Sequence, residues 1–206
     1  MPSAHNAVIV IGAGGHARPV LEALRLLGIP VAALLDEAPS RPPVLGQAVN
    51  GGLDLLGAIP AAGAVIAIGH NATRLRLAEV ARAAGLALPT LVHPAALVSA
   101  HARLGEGVQV MARAVIGPEA SLGALCLINT GAIVEHECVL AAGVHLGPGT
   151  VLCGGVLIGA LSLIGAGVTV APGQRIGADA VVGAGAAVAG PVPDGARFGG
   201  VPARPI

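Results

Sequence analysis

Most of the second half of this sequence is chemically bland, so the few residues that interrupt it stand out: Asn129, the triplet Glu135-His136-Glu137, and His145. An imidazole between two carboxylates suits general-base work. A neighbouring carboxylate fixes one tautomer and raises the ring's basicity toward the proton of an attacking nucleophile. Asn129, His136 and His145 fall in three successive six-residue segments, so a repeating fold could bring them together at a subunit boundary. A solvated polar rim is the plain alternative. His101, His136 and His145 also raise the question of zinc, but nothing in their spacing fixes three of them at matching positions.

A second set lies near the N-terminus. The apolar run Ala7–Ile11 breaks at Gly12-Ala13-Gly14-Gly15-His16, and a helical pattern follows over Pro19–Leu27 until Gly28. Strand, glycine turn and helix open a βαβ unit whose helix N-terminus can hold a phosphate. Gly12 and Gly14 match the start of the dinucleotide fingerprint, and Ala17 stands where the third glycine belongs. Asp36, at the tip of the next predicted strand (Val31–Leu35), is placed to meet a ribose or a base. Residues 1–90 are too few for a two-halved NAD domain. One mononucleotide half fits, for a nucleotide-sugar or for NAD(H), and the alternative is glycines that serve only a tight turn. Further predicted elements are a short helix over Leu53–Leu56, a strand over Val65–Ile68 closed by Gly69-His70-Asn71, a helix over Thr73–Ala84 and a strand near Thr90 and Leu91.

From Val92 to Val188 every sixth residue is Val, Leu or Ile, without a slip. Four residues after each anchor comes a small side chain, with Gln174 the larger exception, and Gly often follows the anchor directly. A period of six fits neither a helix nor a long alternating strand, and it is the signature of a parallel β-helix. Three hexads close one triangular coil, giving between five and six coils over residues 91–206. Such a narrow prism explains how a chain that is 54% hydrophobic contains one Phe and neither Tyr nor Trp: its core is stacked from aliphatics that touch the coils above and below. Walls of Ala, Gly and aliphatics with few charges are poorly suited to water, so a homotrimer is expected to bury them.

Composition excludes several classes. A formal net charge of zero leaves no electrostatic footprint for nucleic acid or an anionic membrane. No stretch is apolar enough for a transmembrane helix. The N-terminal MPSAHNAVIVIGAGG has no basic segment before its apolar run, which argues against a signal peptide. Cys126 and Cys138 occupy inward hexad positions and read as reduced core residues of a cytoplasmic protein. Burial also argues against Cys138 as a nucleophile.

Several segments together resemble a known family. These are Gly12-Ala-Gly-Gly-His16, Ile68-Gly-His-Asn71 with Arg74, Val92-His-Pro94, Asn129-Thr130, Val134-Glu-His-Glu-Cys138 and Gly200-Val-Pro-Ala-Arg204. Over essentially its full length the chain is similar to the two-domain hexapeptide acetyltransferases of bacterial sugars, the family of UDP-N-acetylbacillosamine N-acetyltransferase and sialic acid O-acetyltransferase. The resemblance implies a Rossmann-like half domain, then a left-handed parallel β-helix, a homotrimer, and acetyl-CoA bound between adjacent helices, with no metal. By position it implies His136 as general base oriented by Glu137, His145 near the thioester, Asn129 on the substrate side, and the Gly154 amide as oxyanion donor. Gly165, Ala166 and Ala184 are the implied acetyl-CoA contacts. Gly12, Gly14, Gly15, His16, Asp36, Gly69, Asn71 and Arg74 are the implied nucleotide-sugar contacts. The expected reaction is direct acetyl transfer to the amine of a nucleotide-linked amino-sugar, a UDP-4-amino-sugar by the resemblance. The alternatives are sugar O-acetylation of the sialic acid type, a γ-carbonic-anhydrase-like zinc enzyme and a non-catalytic scaffold.

Overall fold

The structure, a computed structural model, describes residues 7–206. The first six residues, on which part of the signal-peptide expectation rests, lie outside the described residues. The chain forms two compact units, Met1–Pro94 and Ala95–Ile206, where a boundary at 90 was expected.

In the first unit, β1 (Val8–Ile11) is the central strand of a parallel three-stranded sheet, between β2 (Val31–Leu35) and β3 (Gly63–Ile66). All four residues of β1 are buried, so the run carries no polar side chain. The third strand lies two residues earlier than its apolar run suggested. Ile66 pairs with Ile11, the last residue of β1, so Ala67 and Ile68 run past the end of the ladder. Helix α1 (Ala17–Leu26) buries Ala17, Val20, Leu21, Ala23 and Leu24 and ends at Gly28, whose φ of +68° is the left-handed conformation that commonly stops a helix. A 3-10 turn covers Leu53–Leu55. Helix α2 (Asn71–Ala83) is capped by His70, whose Nδ1 accepts from the Thr73 N–H at 3.3 Å, and β4 (Leu91–Val92) ends the unit.

The second unit is the expected left-handed parallel β-helix. Each hexad makes a two-residue strand whose second residue is the anchor, and strands pair with those 18 residues away, as Leu127 does with His145 and Ile133 with Val151. Anchors point inward; Val110, Ile128, Val134, Leu146 and Ile164 are fully buried. The small inward residues bond across coils where they are polar. Thr150 Oγ1 donates to the Gly165 carbonyl at 2.9 Å, Ser162 Oγ to Gly177 at 2.6 Å, and the Cys126 and Cys138 thiols to Ala141 and Cys153 at 3.1 and 3.2 Å. Among the described residues no buried side-chain N or O lacks a partner, as a well-formed interior requires. At most glycines that follow an anchor the next coil leaves no room: a Cβ at Gly159 would collide with the Ala178 nitrogen, and only at Gly183 would it find ordinary contact. No helix among the described residues is long and apolar enough to cross a membrane.

Candidate functional site

His136 and Glu137 form the two-residue corner between the strands Ile133–Val134 and Val139–Leu140. Glu137 has a φ of +59°, a strained setting for a side chain that turns it beside the imidazole: its Oε2 lies 3.0 Å from His136 Nδ1. This leaves Nε2 as the outward ring nitrogen. Glu135, also exposed, makes no contact of this kind with the ring among the described residues. One coil above, the His136 carbonyl accepts from the Gly155 N–H at 2.9 Å, stacking Gly154-Gly155 on the same edge of the prism. The imidazole lies over Gly154. A Cβ built there would come within 2.5 Å of both Cε1 and Nε2. Corner geometry also leaves the Gly154 N–H outside the ladder, with no protein acceptor among the described residues. An outward N–H beside a carboxylate-held imidazole is the pairing an acyl transfer needs, a base and an oxyanion donor.

The other predicted catalytic residues lie on a different edge. Asn129 Nδ2 is 3.4 Å from His145 Nε2, and Asn129 Oδ1 accepts from the Thr130 N–H at 2.9 Å. The corner beginning at Thr130 continues upward through Pro148, Ala166 and Ala184, linked by N–H to carbonyl bonds of 2.9, 2.9 and 2.8 Å. Asn129, His145, Gly165, Ala166 and Ala184 therefore share one edge, and His136, Glu137 and Gly154 share the next. The three-residue gathering of Asn129, His136 and His145 does not occur within one chain. Between the two edges lies the face carrying Val115, Ile133, Val151, Thr169 and Ala187 outward, without a charge. Gly165 lacks a side chain for a structural reason: a Cβ would lie 2.6 Å from the Ala184 nitrogen and 2.8 Å from the Val182 oxygen.

Cys138 is fully buried beside the His136 corner. Burial pushes its thiol above the usual range, which disfavours the thiolate a nucleophile requires. Among the described residues no three His, Cys, Asp or Glu side chains gather closely enough to hold a metal ion.

In the first unit a cavity of about 310 Å³ opens at the C-terminal ends of the strands, lined by Gly12, Asp36, Glu37, Arg41, Ile68 and Thr73 among others. The glycines divide by role. Gly12 has a φ of +108° and its Cβ would strike Ile68 Cδ1 at 2.5 Å, so the fold needs it. Gly14 and Gly15 have no such φ, and a Cβ at either would meet nothing within 4 Å. Their bareness serves no packing and leaves backbone open to a ligand at the start of α1, where the His16 carbonyl accepts from the Val20 N–H at 3.4 Å. Asp36, expected to meet a ribose or base, is occupied by protein donors. Its Oδ2 accepts from the Ala13 N–H at 2.7 Å, and its Oδ1 accepts from the Ala38 N–H at 2.8 Å and Arg41 Nε at 3.1 Å. Burial works against its charge, but these donors outweigh burial and hold the carboxyl below the usual range. Arg74 also turns inward. It is fully buried, and its guanidinium donates to the carbonyls of Ile68 and Gly69 at 3.2 and 3.0 Å and to Asn71 Oδ1 at 3.1 Å. Asn71 and Arg74, at the start of α2, thus hold the loop that carries Gly69. Sequence reasoning gave no site role to Glu37, Arg41 or Arg76: the first two lie in or beside a proline-rich loop, and Arg76 reads only as part of the polar side of α2.

Residues 7–81 match the PglD N-terminal domain family. The whole chain is similar to a histidine-to-alanine mutant of GDP-perosamine N-acetyltransferase from Caulobacter crescentus, solved in complex with CoA and GDP-perosamine. That match has 44% identity over 97% of this chain and 96% of the other, with a TM-score of 0.94. The acetyltransferase domain of PglB from Neisseria gonorrhoeae, in complex with acetyl coenzyme A, matches at 36% identity over 98% of this chain and 99% of that one, with a TM-score of 0.91. WeeI from Acinetobacter baumannii, 23% identical over 97% of this chain and 99% of its own with a TM-score of 0.76, shares the fold. No curated protein matches the chain.

Proposed function

The chain belongs to the hexapeptide-repeat sugar acetyltransferases, and from that premise we propose that it transfers the acetyl group of acetyl-CoA to the amine of a nucleotide-linked amino-sugar. The observation that carries this reading is the imidazole of His136, held at Nδ1 by Glu137 and lying over Gly154. The neutral amine attacks the thioester carbonyl while Nε2 of His136 takes its proton. The Gly154 N–H stabilises the tetrahedral oxyanion, and collapse releases the CoA thiolate. No acyl-enzyme forms, in keeping with the buried Cys138 thiol. Glycines 14 and 15 leave room for the diphosphate of the acceptor at the start of α1.

The active unit is a homotrimer in this reading. If three prisms close around a threefold axis with the uncharged face inward, the His136 edge of each copy meets the edge of its neighbour that bears Asn129, His145, Gly165, Ala166 and Ala184. The two half-sites that one chain keeps apart are thereby joined, with acetyl-CoA along the groove between them. Free thiols and an acetyl-CoA-dependent reaction suit a cytoplasmic protein. The resemblance in sequence suggests a UDP-linked acceptor, whereas the structure 44% identical to this chain holds a GDP-linked one; the discriminating chemistry belongs to the pocket that receives the base.

The test is to incubate the purified protein with acetyl-CoA and a nucleotide-linked 4-amino-sugar, following thiol release and the mass of the sugar product. Acetylated product is expected, and His136→Ala should lower kcat by about 10² to 10⁴ with the fold intact. Activity of the variant within a few-fold of wild type would remove His136 from the mechanism.

A further inference from the structure

We propose that the cavity at the ends of β1, β2 and β3 receives a guanine base, and that Glu37 and Arg41 are the side chains that select it; this rests on the nucleotide-linked acceptor proposed above. The cavity has an apolar side from Ile68 and Leu77 and a charged rim from Asp36, Glu37 and Arg41. Asp36 cannot read a base, since three protein donors already occupy its two oxygens.

Glu37 differs. Its Oε2 accepts from Arg76 Nη2 at 2.7 Å, its side chain is 51% exposed, and Oε1 has no protein partner among the described residues. Arg41 binds Asp36 through Nε, so the same contact that occupies Asp36 holds the guanidinium, and its two Nη groups have no protein acceptor among the described residues. The rim therefore presents one carboxylate, with Oε1 open and Oε2 shared with Arg76, and one donor pair, each side chain held by a partner: Arg76 on α2 holds Glu37, and Asp36 holds Arg41.

Guanine matches that arrangement on both sides. Its N1–H and N2–H₂ groups offer adjacent donors to one carboxylate, and its O6 and N7 accept from a guanidinium, the commonest specific contact to this base. Uracil offers a single N–H between two carbonyl oxygens, so a carboxylate that reaches the N–H also meets two acceptors. Adenine sets an amino group beside an acceptor nitrogen and has no O6. The site gives guanine at least one more charge-assisted hydrogen bond than either competitor. Because both rim residues are tied before the base arrives, little ordering is needed on binding.

The experiment is calorimetric titration of the full chain with GDP and with UDP, for wild type, Glu37→Gln and Arg76→Met. GDP should bind wild type at least about tenfold more tightly than UDP, the worth of one charge-assisted bond. Glu37→Gln should weaken GDP about tenfold or more and leave UDP within about threefold. Arg76→Met should shrink the GDP to UDP ratio in the same direction, which a merely structural ion pair on the surface would not do. Equal affinities, tighter UDP, or an unchanged ratio in Glu37→Gln would overturn the guanine assignment while leaving the nucleotide-linked acceptor standing. Failure of both nucleotides to bind would overturn the nucleotide-linked acceptor itself, and the guanine assignment with it.

Discussion

Gly154→Ala isolates the placement of the base from its chemistry. The added Cβ would lie 2.5 Å from His136 Cε1 and Nε2 and 3.1 Å from Nδ1. Carbon atoms rest about 3.5–4.0 Å apart, so the ring must retreat by about 1 Å or swing away. The residue's φ lies outside the left-handed region, so alanine is acceptable to the backbone. The His136 side chain is 56% exposed, so the displaced ring goes to water at little cost, and the exposed pair it leaves with Glu137 contributes under about 1 kcal/mol. Stability should hardly change. A misplacement of about 1 Å can nevertheless lower the rate about 10²-fold. Steady-state kinetics should show that loss in kcat, and thermal melting should show a nearly unchanged midpoint. Gly195→Ala is the counterpart. Gly195 has a φ of +67° with open space around it, so alanine there should cost about 1 kcal/mol of stability and leave kcat alone. A Gly154→Ala enzyme with kcat within threefold of wild type would refute the view that the bare glycine holds the imidazole in position.

Three further outcomes follow from named contacts. Asp36→Asn should destabilise the protein by about 1–3 kcal/mol at pH 7, since it loosens bonds to Ala13, Ala38 and Arg41. The folded carboxyl is held below its ordinary value, so this stabilisation is present at neutral pH and fades as pH falls below about 4; denaturation midpoints of wild type and variant should converge in acid. Gly14→Val should leave the melting temperature unchanged, because its Cβ meets nothing within 4 Å, yet raise KM for the nucleotide-sugar at least about tenfold with KM for acetyl-CoA steady. Gly165→Ala should destabilise by about 1–3 kcal/mol through collision with the Ala184 and Val182 backbone, which makes this position unsuitable as a probe of acetyl-CoA binding alone.

The prism was legible because its constraint is periodic: one buried anchor and one small inward residue per hexad leave no second solution. The glycine turn was legible for a similar reason, since strand, Gly12 and helix must follow in that order. What the sequence hid was direction and edge. Arg74 sits in a polar helical stretch yet folds inward onto the Ile68 and Gly69 carbonyls, and Asp36 turns to the Ala13 and Ala38 amides rather than outward. Asn129, His136 and His145 are close in sequence, but a three-hexad coil sends the first and last to one edge and the middle one to the next. Gly154 entered the sequence reading only as the amide that the resemblance implies for the oxyanion; the His136 ring packed against it explains why a side chain is excluded there.

The most direct test of the account is whether a working site needs two copies of the chain. His136→Ala removes the base from one edge, and Ala166→Arg obstructs the other edge at an exposed corner. Each variant alone should be nearly inactive. Mixed as subunits of one trimer, by unfolding and refolding equal amounts together, they should regain about a quarter of the wild-type acetyl transfer, because random assembly pairs an intact His136 edge with an intact neighbouring edge in that fraction of sites. Mixed trimers, confirmed by mass, that stay as inactive as their parents would contradict the shared site.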